Sequence, residues 1–132
     1  MLVLERGENE WFGSIEYPDA FFLSTVGSTI KDVIDNIKML IGDFISHEGK
    51  DHPEWKDVNV EEIEFEEGFD LTSFFEAFDA LKISKIAELS EINPSLLRQY
   101  VSGSKYPSRK QALKIQTAIK ALGERLTNAN VV

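Results

Sequence analysis

Cysteine is absent from the 132 residues. Disulfides, thiolate zinc sites and cysteine nucleophiles are therefore excluded. Histidine occurs only twice. His47 and His52, with Glu48 and Asp51 nearby, fall in a polar stretch that reads as a loop, so no metal and no cofactor is expected. No apolar run approaches the roughly 20 residues of a membrane span. The start, Met1-Leu2-Val3-Leu4-Glu5-Arg6, has neither a basic leader nor a long apolar segment. These absences point to a cytoplasmic protein that makes no membrane contact.

What is present is ordinary for a globular chain: 42% hydrophobic and 28% charged residues, enough to bury a core without covalent staples. The charge is not evenly spread. The net charge is −9, which taken whole argues against nucleic-acid binding. Yet residues 1–70 carry five Lys/Arg against 18 Asp/Glu, and residues 71–132 carry nine against five. Between 95 and 126, seven basic residues face one acid, Glu124. An acidic half joined to a basic half suggests two modules with two partners. The basic half is a candidate polyanion binder. The acidic half repels nucleic acid and attracts basic protein.

In the acidic half, short β-rich runs over 2–5, 11–17 and 20–26 are separated by Gly7-Glu8-Asn9-Glu10 and Pro18-Asp19, so three strands are expected. Ile30, Val33, Ile34, Ile37, Leu40, Ile41, Phe44 and Ile45 then recur at helical period. Thr29 and Asp32 resemble a capping box, with Ser28 as the alternative cap. A loop over 47–58 and a fourth, edge strand within 60–69 complete a β-β-β-α-β domain over residues 1–68. Trp55 stands alone in the polar loop and reads as packing or as a partner anchor.

Residues 69–132 read as an all-α domain of four helices. Asp70 caps a helix with Leu71, Phe74, Phe75, Phe78 and Leu81 on its apolar face. Ser84 is the expected cap of the next. Asn93-Pro94 opens a third, with Asn at N-cap and Pro at N1, and Gly103 closes it. Ser108, three residues before Gln111, opens a fourth. Its apolar positions are Ala112, Ile115, Ile119, Leu122 and Leu126. The fold class is thus α+β, with an α+β domain followed by a helical one.

The stretch 83–102 meets the requirements of a helix-turn-helix. Ala87 is the small residue over which a second helix can cross, and Ile86, Ile92, Leu97 and Tyr100 anchor both helices. Asn93, Ser95, Arg98, Gln99 and Ser102 leave a polar face for the major groove. Arg98 suits guanine and Gln99 suits adenine through paired hydrogen bonds. Lys105, Tyr106, Ser108 and Arg109 stand where a loop and helix start would meet phosphates.

With Ala87, Ile92-Asn93-Pro94-Ser95, Ser102-Gly103 and Lys105-x-Pro107-Ser108, the region resembles the Cro/repressor-like helix-turn-helix superfamily over about 50 residues. Glu91 stands where that superfamily usually has glycine, and a positive φ there would strain it. The first half is similar to the HicB antitoxin pattern through Gly7, Trp11, Pro18, Asp19, Gly27, Thr29 and Asn36. Ala20-Phe21-Phe22 replaces the usual Pro-Gly-Cys after the Pro-Asp pair. The two resemblances together imply a partial ribonuclease-H-like domain without nuclease chemistry, masking a small basic ribonuclease toxin of HicA type. They also imply a helical domain that represses its operon by binding operator DNA.

The resulting expectation is a non-enzymatic antitoxin and repressor, binding double-stranded DNA as a homodimer or higher even oligomer. The last helix and the tail 127–132 are the expected dimer surface. Two alternatives remain: a DNA-binding regulator with no toxin partner, and a metal-dependent nuclease using Glu5, Glu16, Asp19 and Asp43.

Overall fold

Alternation along the first strands decides which side of the sheet is covered. In a computed structural model describing residues 1–132, β1 (Leu2–Arg6) buries Leu2 and Leu4 while Val3 and Glu5 are exposed. This is the period of two that a half-buried strand requires. A tight turn closed by Gly7 N–H donating to Glu10 O at 2.8 Å leads into β2 (Trp11–Tyr17). The next turn, with Asp19 at φ 59°, leads into β3 (Phe21–Gly27).

Helix α1 (Ile30–His47) covers one face of this meander, packing on β2 and β3 through buried Val33, Ile37 and Ile41. Its start is a complete capping box. Thr29 Oγ1 accepts from Asp32 N–H at 3.1 Å, and Asp32 Oδ2 accepts from Thr29 N–H at 3.2 Å. Such a cap contributes about 1 kcal/mol. Asn36 Nδ2 donates to the Val26 carbonyl at 2.9 Å, tying helix to strand.

The loop after α1 is held by aromatic packing. Trp55 meets Phe44 and Phe21 with ring centroids 5.8 and 5.6 Å away, and Tyr17 at 4.9 Å. Trp55 is half-buried and serves as an internal anchor for its loop.

The expected strand over 60–69 is corrected. Val60–Glu62 forms a 3₁₀ turn, because Asn59 Oδ1 accepts from Glu61 N–H at 3.2 Å and so favours a turn over an extended chain. Only β4 (Glu67–Phe69) is strand. It pairs in parallel with β1, giving a mixed sheet in the order β3-β2-β1-β4.

Helix α2 (Leu71–Ala77) is capped by Asp70, whose Oδ1 accepts from Ser73 N–H at 2.7 Å. It ends before the expected Phe78 and Leu81. α3 (Ile83–Ser90), α4 (Pro94–Ser102) and α5 (Arg109–Asn128) follow. Ser84 is not the cap of α3. That position falls to Lys82, which is extended and makes no side-chain capping bond. The fold is α+β, with one four-stranded mixed sheet and five α-helices.

Two units pack separately, Met1–Ser73 and Phe74–Val132. Residues 69–73 group with the first rather than with the helices after them. Phe69 pairs with Leu4, and the buried Ser73 hydroxyl accepts from Arg6 N–H at 2.9 Å. The second unit has its own core, with Phe75, Ile86, Ala87, Ile92, Leu97, Tyr100 and Ile115 buried. No helix is long and apolar enough to cross a membrane.

Candidate nucleic-acid interface

The second unit is organised around α3. It packs against both α4 and α5, and Ala87, with no exposed surface, sits at its centre. The absence of a longer side chain there lets another helix approach closely. Ser90 is buried without being orphaned, since its hydroxyl donates to the Ile86 carbonyl at 2.5 Å.

The turn from α3 to α4 is made by Glu91 in the left-handed conformation, φ 55° and ψ 41°. Its backbone N–H returns to the Glu88 carbonyl at 3.2 Å, and Ile92 N–H returns to Ala87 at 3.0 Å. The chain therefore adopts the backbone a glycine would favour, using a glutamate. That costs on the order of 1 kcal/mol. Ile92 is driven into the core directly after the turn.

Helix α4 then starts on Asn93 and Pro94. Asn93 Oδ1 accepts from Ser95 N–H at 2.9 Å and from Leu96 N–H at 3.4 Å. Leu97 and Tyr100 point into the core, whereas Ser95, Arg98, Gln99 and Ser102 are exposed. The spacing follows the helical period, so one face is fixed by packing and the opposite one is open. Asn93 is exposed as well, but its oxygen is committed to the cap, leaving the amide nitrogen for an outside partner.

The segment after α4 folds back on its last turn. Gly103 takes φ 80°. The Gln99 carbonyl accepts from Lys105 N–H at 3.2 Å, and from the Ser102 and Ser104 hydroxyls at 3.1 and 3.3 Å. These bonds tie the Lys105 backbone to α4. Tyr106 is almost wholly exposed at 88%. Ser108 Oγ caps α5 by accepting from Gln111 N–H at 3.2 Å, and Arg109 opens that helix on the surface. Ser104 joins this cluster although no motif marks it in the sequence beyond its place between Gly103 and Lys105.

Arg98, Lys105, Arg109 and Lys110 are all exposed, and none forms an ion pair within the chain. Their charge is therefore available to an anion. The ion pairs lie elsewhere, as in Lys31 with Asp35 on α1, where the hydrogen bond and charge of Asp35 raise the Lys31 pKa.

Helix α5 is packed along one side as far as Leu122, and every residue after it is exposed. Ile115 is buried and Ile119 and Leu122 are half-buried, whereas Leu113 and Leu126 are exposed. A Cβ placed on Gly123 would meet nothing within 4 Å. The final turns thus have an open flank, and Ala112, expected on the apolar face, is exposed instead.

The acids considered for metal chemistry are dispersed. Glu5 lies on β1, Glu16 on β2, Asp19 in the β2–β3 turn and Asp43 on α1. His47 ends α1, with Nδ1 2.8 Å from the Asp43 carbonyl. No three His, Asp or Glu side chains converge as a metal site would need. The chain matches no protein-family model, no curated protein and no solved structure.

Proposed function

We propose that the chain is an antitoxin-type repressor, with a Cro/repressor-like helix-turn-helix in its helical half and a HicB-like domain in its acidic half. The observation carrying this reading is the polar face of α4. Ser95, Arg98, Gln99 and Ser102 stand exposed on a helix whose other side is locked by Leu97 and Tyr100. A helix so held presents side chains to base edges in fixed register.

On this reading Arg98 and Gln99 address base edges, and Ser95 and Ser102 reach bases or adjacent phosphates. The Asn93 nitrogen adds a donor at the N-terminus of α4. Lys105, Tyr106 and Arg109, with the Ser108-capped start of α5, take the phosphate backbone. Two copies acting on a palindromic operator must place their recognition helices about 34 Å apart. The exposed end of α5, with Leu126 and the tail to Val132, is the surface assigned to that pairing. The acidic half, which holds 18 of the 23 Asp/Glu, takes a small basic toxin by charge complementarity. The chain's own role is binding, not catalysis.

Two measurements test this. The full chain should protect a palindrome in DNA taken from upstream of its own gene, with affinity falling steeply as salt rises. Co-expression with the adjacent small basic reading frame should give a stable complex and restore growth. Equal affinity for that DNA and for an unrelated duplex would remove the repressor role. Absence of any complex would remove the toxin.

A further inference from the structure

The sheet of the first unit has one face under α1 and one face open. The open face is built by the residues that alternate with the core. Register places Glu5, Phe12 and Val26 side by side in one row, Val3, Ser14 and Ser24 in the next, and Glu16 beside Phe22 in a third. Val3, Phe12, Phe22 and Val26 are between 41% and 67% exposed. These four apolar side chains share one sheet face, with Phe12 and Val26 directly adjacent and Val3 in the next row, rather than standing singly.

The relief of this face is specific. Ser14 and Ser24 are small, and with Gly13 and Thr25 they floor a shallow depression of about 550 Å³ between Val3, Phe12 and Val26. Glu5 and Glu16 stand among the apolar side chains. Neither forms an ion pair within the chain.

The outer face of α1 is the competing surface, and it is largely satisfied internally. Lys31 pairs with Asp35 at 2.6 Å, and Lys38 donates to the Glu61 carbonyl at 2.9 Å. Met39 is the one large apolar side chain exposed there.

We propose that the open sheet face, centred on Phe12 and bounded by Val3, Val26 and Phe22, is the docking surface for a basic protein partner. The proposal rests on the antitoxin reading and adds the surface through which it acts. The chemistry of the face defines the occupant. It requires an apolar ridge to cover Phe12 and Val26, flanked by Lys or Arg that meet Glu5 and Glu16. Nucleic acid would be repelled by the carboxylates. A second copy of this half would bring like charge against like, since residues 1–70 are strongly acidic.

The test uses the full chain and the product of the adjacent small basic reading frame. Binding is measured by calorimetry for Phe12→Lys, Phe22→Ser, the double variant Glu5→Gln/Glu16→Gln, and Met39→Lys as the α1 control. Circular dichroism verifies folding, and the exposed Phe22→Ser remains informative should Phe12→Lys fold poorly. Expected are at least a 100-fold loss for Phe12→Lys, at least a 10-fold loss for Phe22→Ser and for the glutamine pair, and no change for Met39→Lys. Hydrogen exchange should show new protection on β2 and β3. A tight wild-type complex that ignores the sheet variants and weakens with Met39→Lys overturns the docking surface and leaves the antitoxin reading intact. No complex with the wild-type chain overturns both. Self-association abolished by Phe12→Lys, with no binding of the basic protein, overturns this proposal in favour of a homotypic contact.

Discussion

Gly13 and Val33 define how closely helix and sheet approach in the first unit: a Cβ on Gly13 would lie 2.2 Å from Val33 Cγ1. It would also be 3.5 Å from methyl carbons of Leu2 and Leu4. The missing side chain is therefore what lets α1 seat Val33 over the middle of β2. Gly13→Ala should destabilise the unit by about 1–3 kcal/mol through overpacking. Denaturant unfolding of the full chain measures it. Combining it with Val33→Ala should cost less than the sum of the two single changes, because the contact is shared.

Glu91→Gly should act in the opposite direction. The left-handed backbone at Glu91 disfavours any residue with a Cβ. Glycine removes that strain but adds freedom to the unfolded chain. The balance is an expected gain of about 0.5–1 kcal/mol in the second unit, read as a raised midpoint of unfolding. A loss of stability would show that the Glu91 side chain supplies more than the turn.

Trp55→Ala should release the loop between α1 and the 3₁₀ turn, since Tyr17, Phe21 and Phe44 would lose a common neighbour. The expected cost is about 1–3 kcal/mol, below that of a fully buried tryptophan. Limited proteolysis should show faster cleavage within 49–59 while the second unit stays intact.

Arg98→Ala and Lys105→Ala should differ in kind. Arg98→Ala is expected to weaken operator binding by about 1–3 kcal/mol and relax preference at one base pair. Lys105→Ala should weaken binding to all duplexes and reduce the salt slope by about one. Titrations of operator and unrelated DNA over a range of salt separate the two. Unchanged operator affinity for Arg98→Ala would move the recognition surface away from α4.

Legibility in the sequence followed the strength of local signals. α1 was readable because eight apolar residues kept helical period and Thr29 with Asp32 marked the start. α4 was readable because Asn93-Pro94 and Gly103 bracket it. The stretch 60–69 was not, because Ile63 and Phe65 alternate like a strand while the Asn59 side chain selects a turn. Parallel pairing of β4 with β1 could not be read either, since the partners lie 65 positions apart and share no local pattern. Of the candidate interface, the exposure of Arg98 and Gln99 follows from where Leu97 and Tyr100 point. The link between Gln99 and Lys105 depends on the backbone path after Gly103, which side-chain chemistry alone does not specify.

The parallel contact between β1 and β4 also governs the order of events during synthesis. β1 emerges from the ribosome well before β4 and stays an edge of the meander until Glu67–Phe69 has been made. At roughly 5–20 residues per second, that interval lasts several seconds. Throughout it the Leu2 amide lacks its Glu66 acceptor. A nascent chain stalled before Glu66 should therefore remain sensitive to protease at its first strand, and one extended well past Ser73 should not.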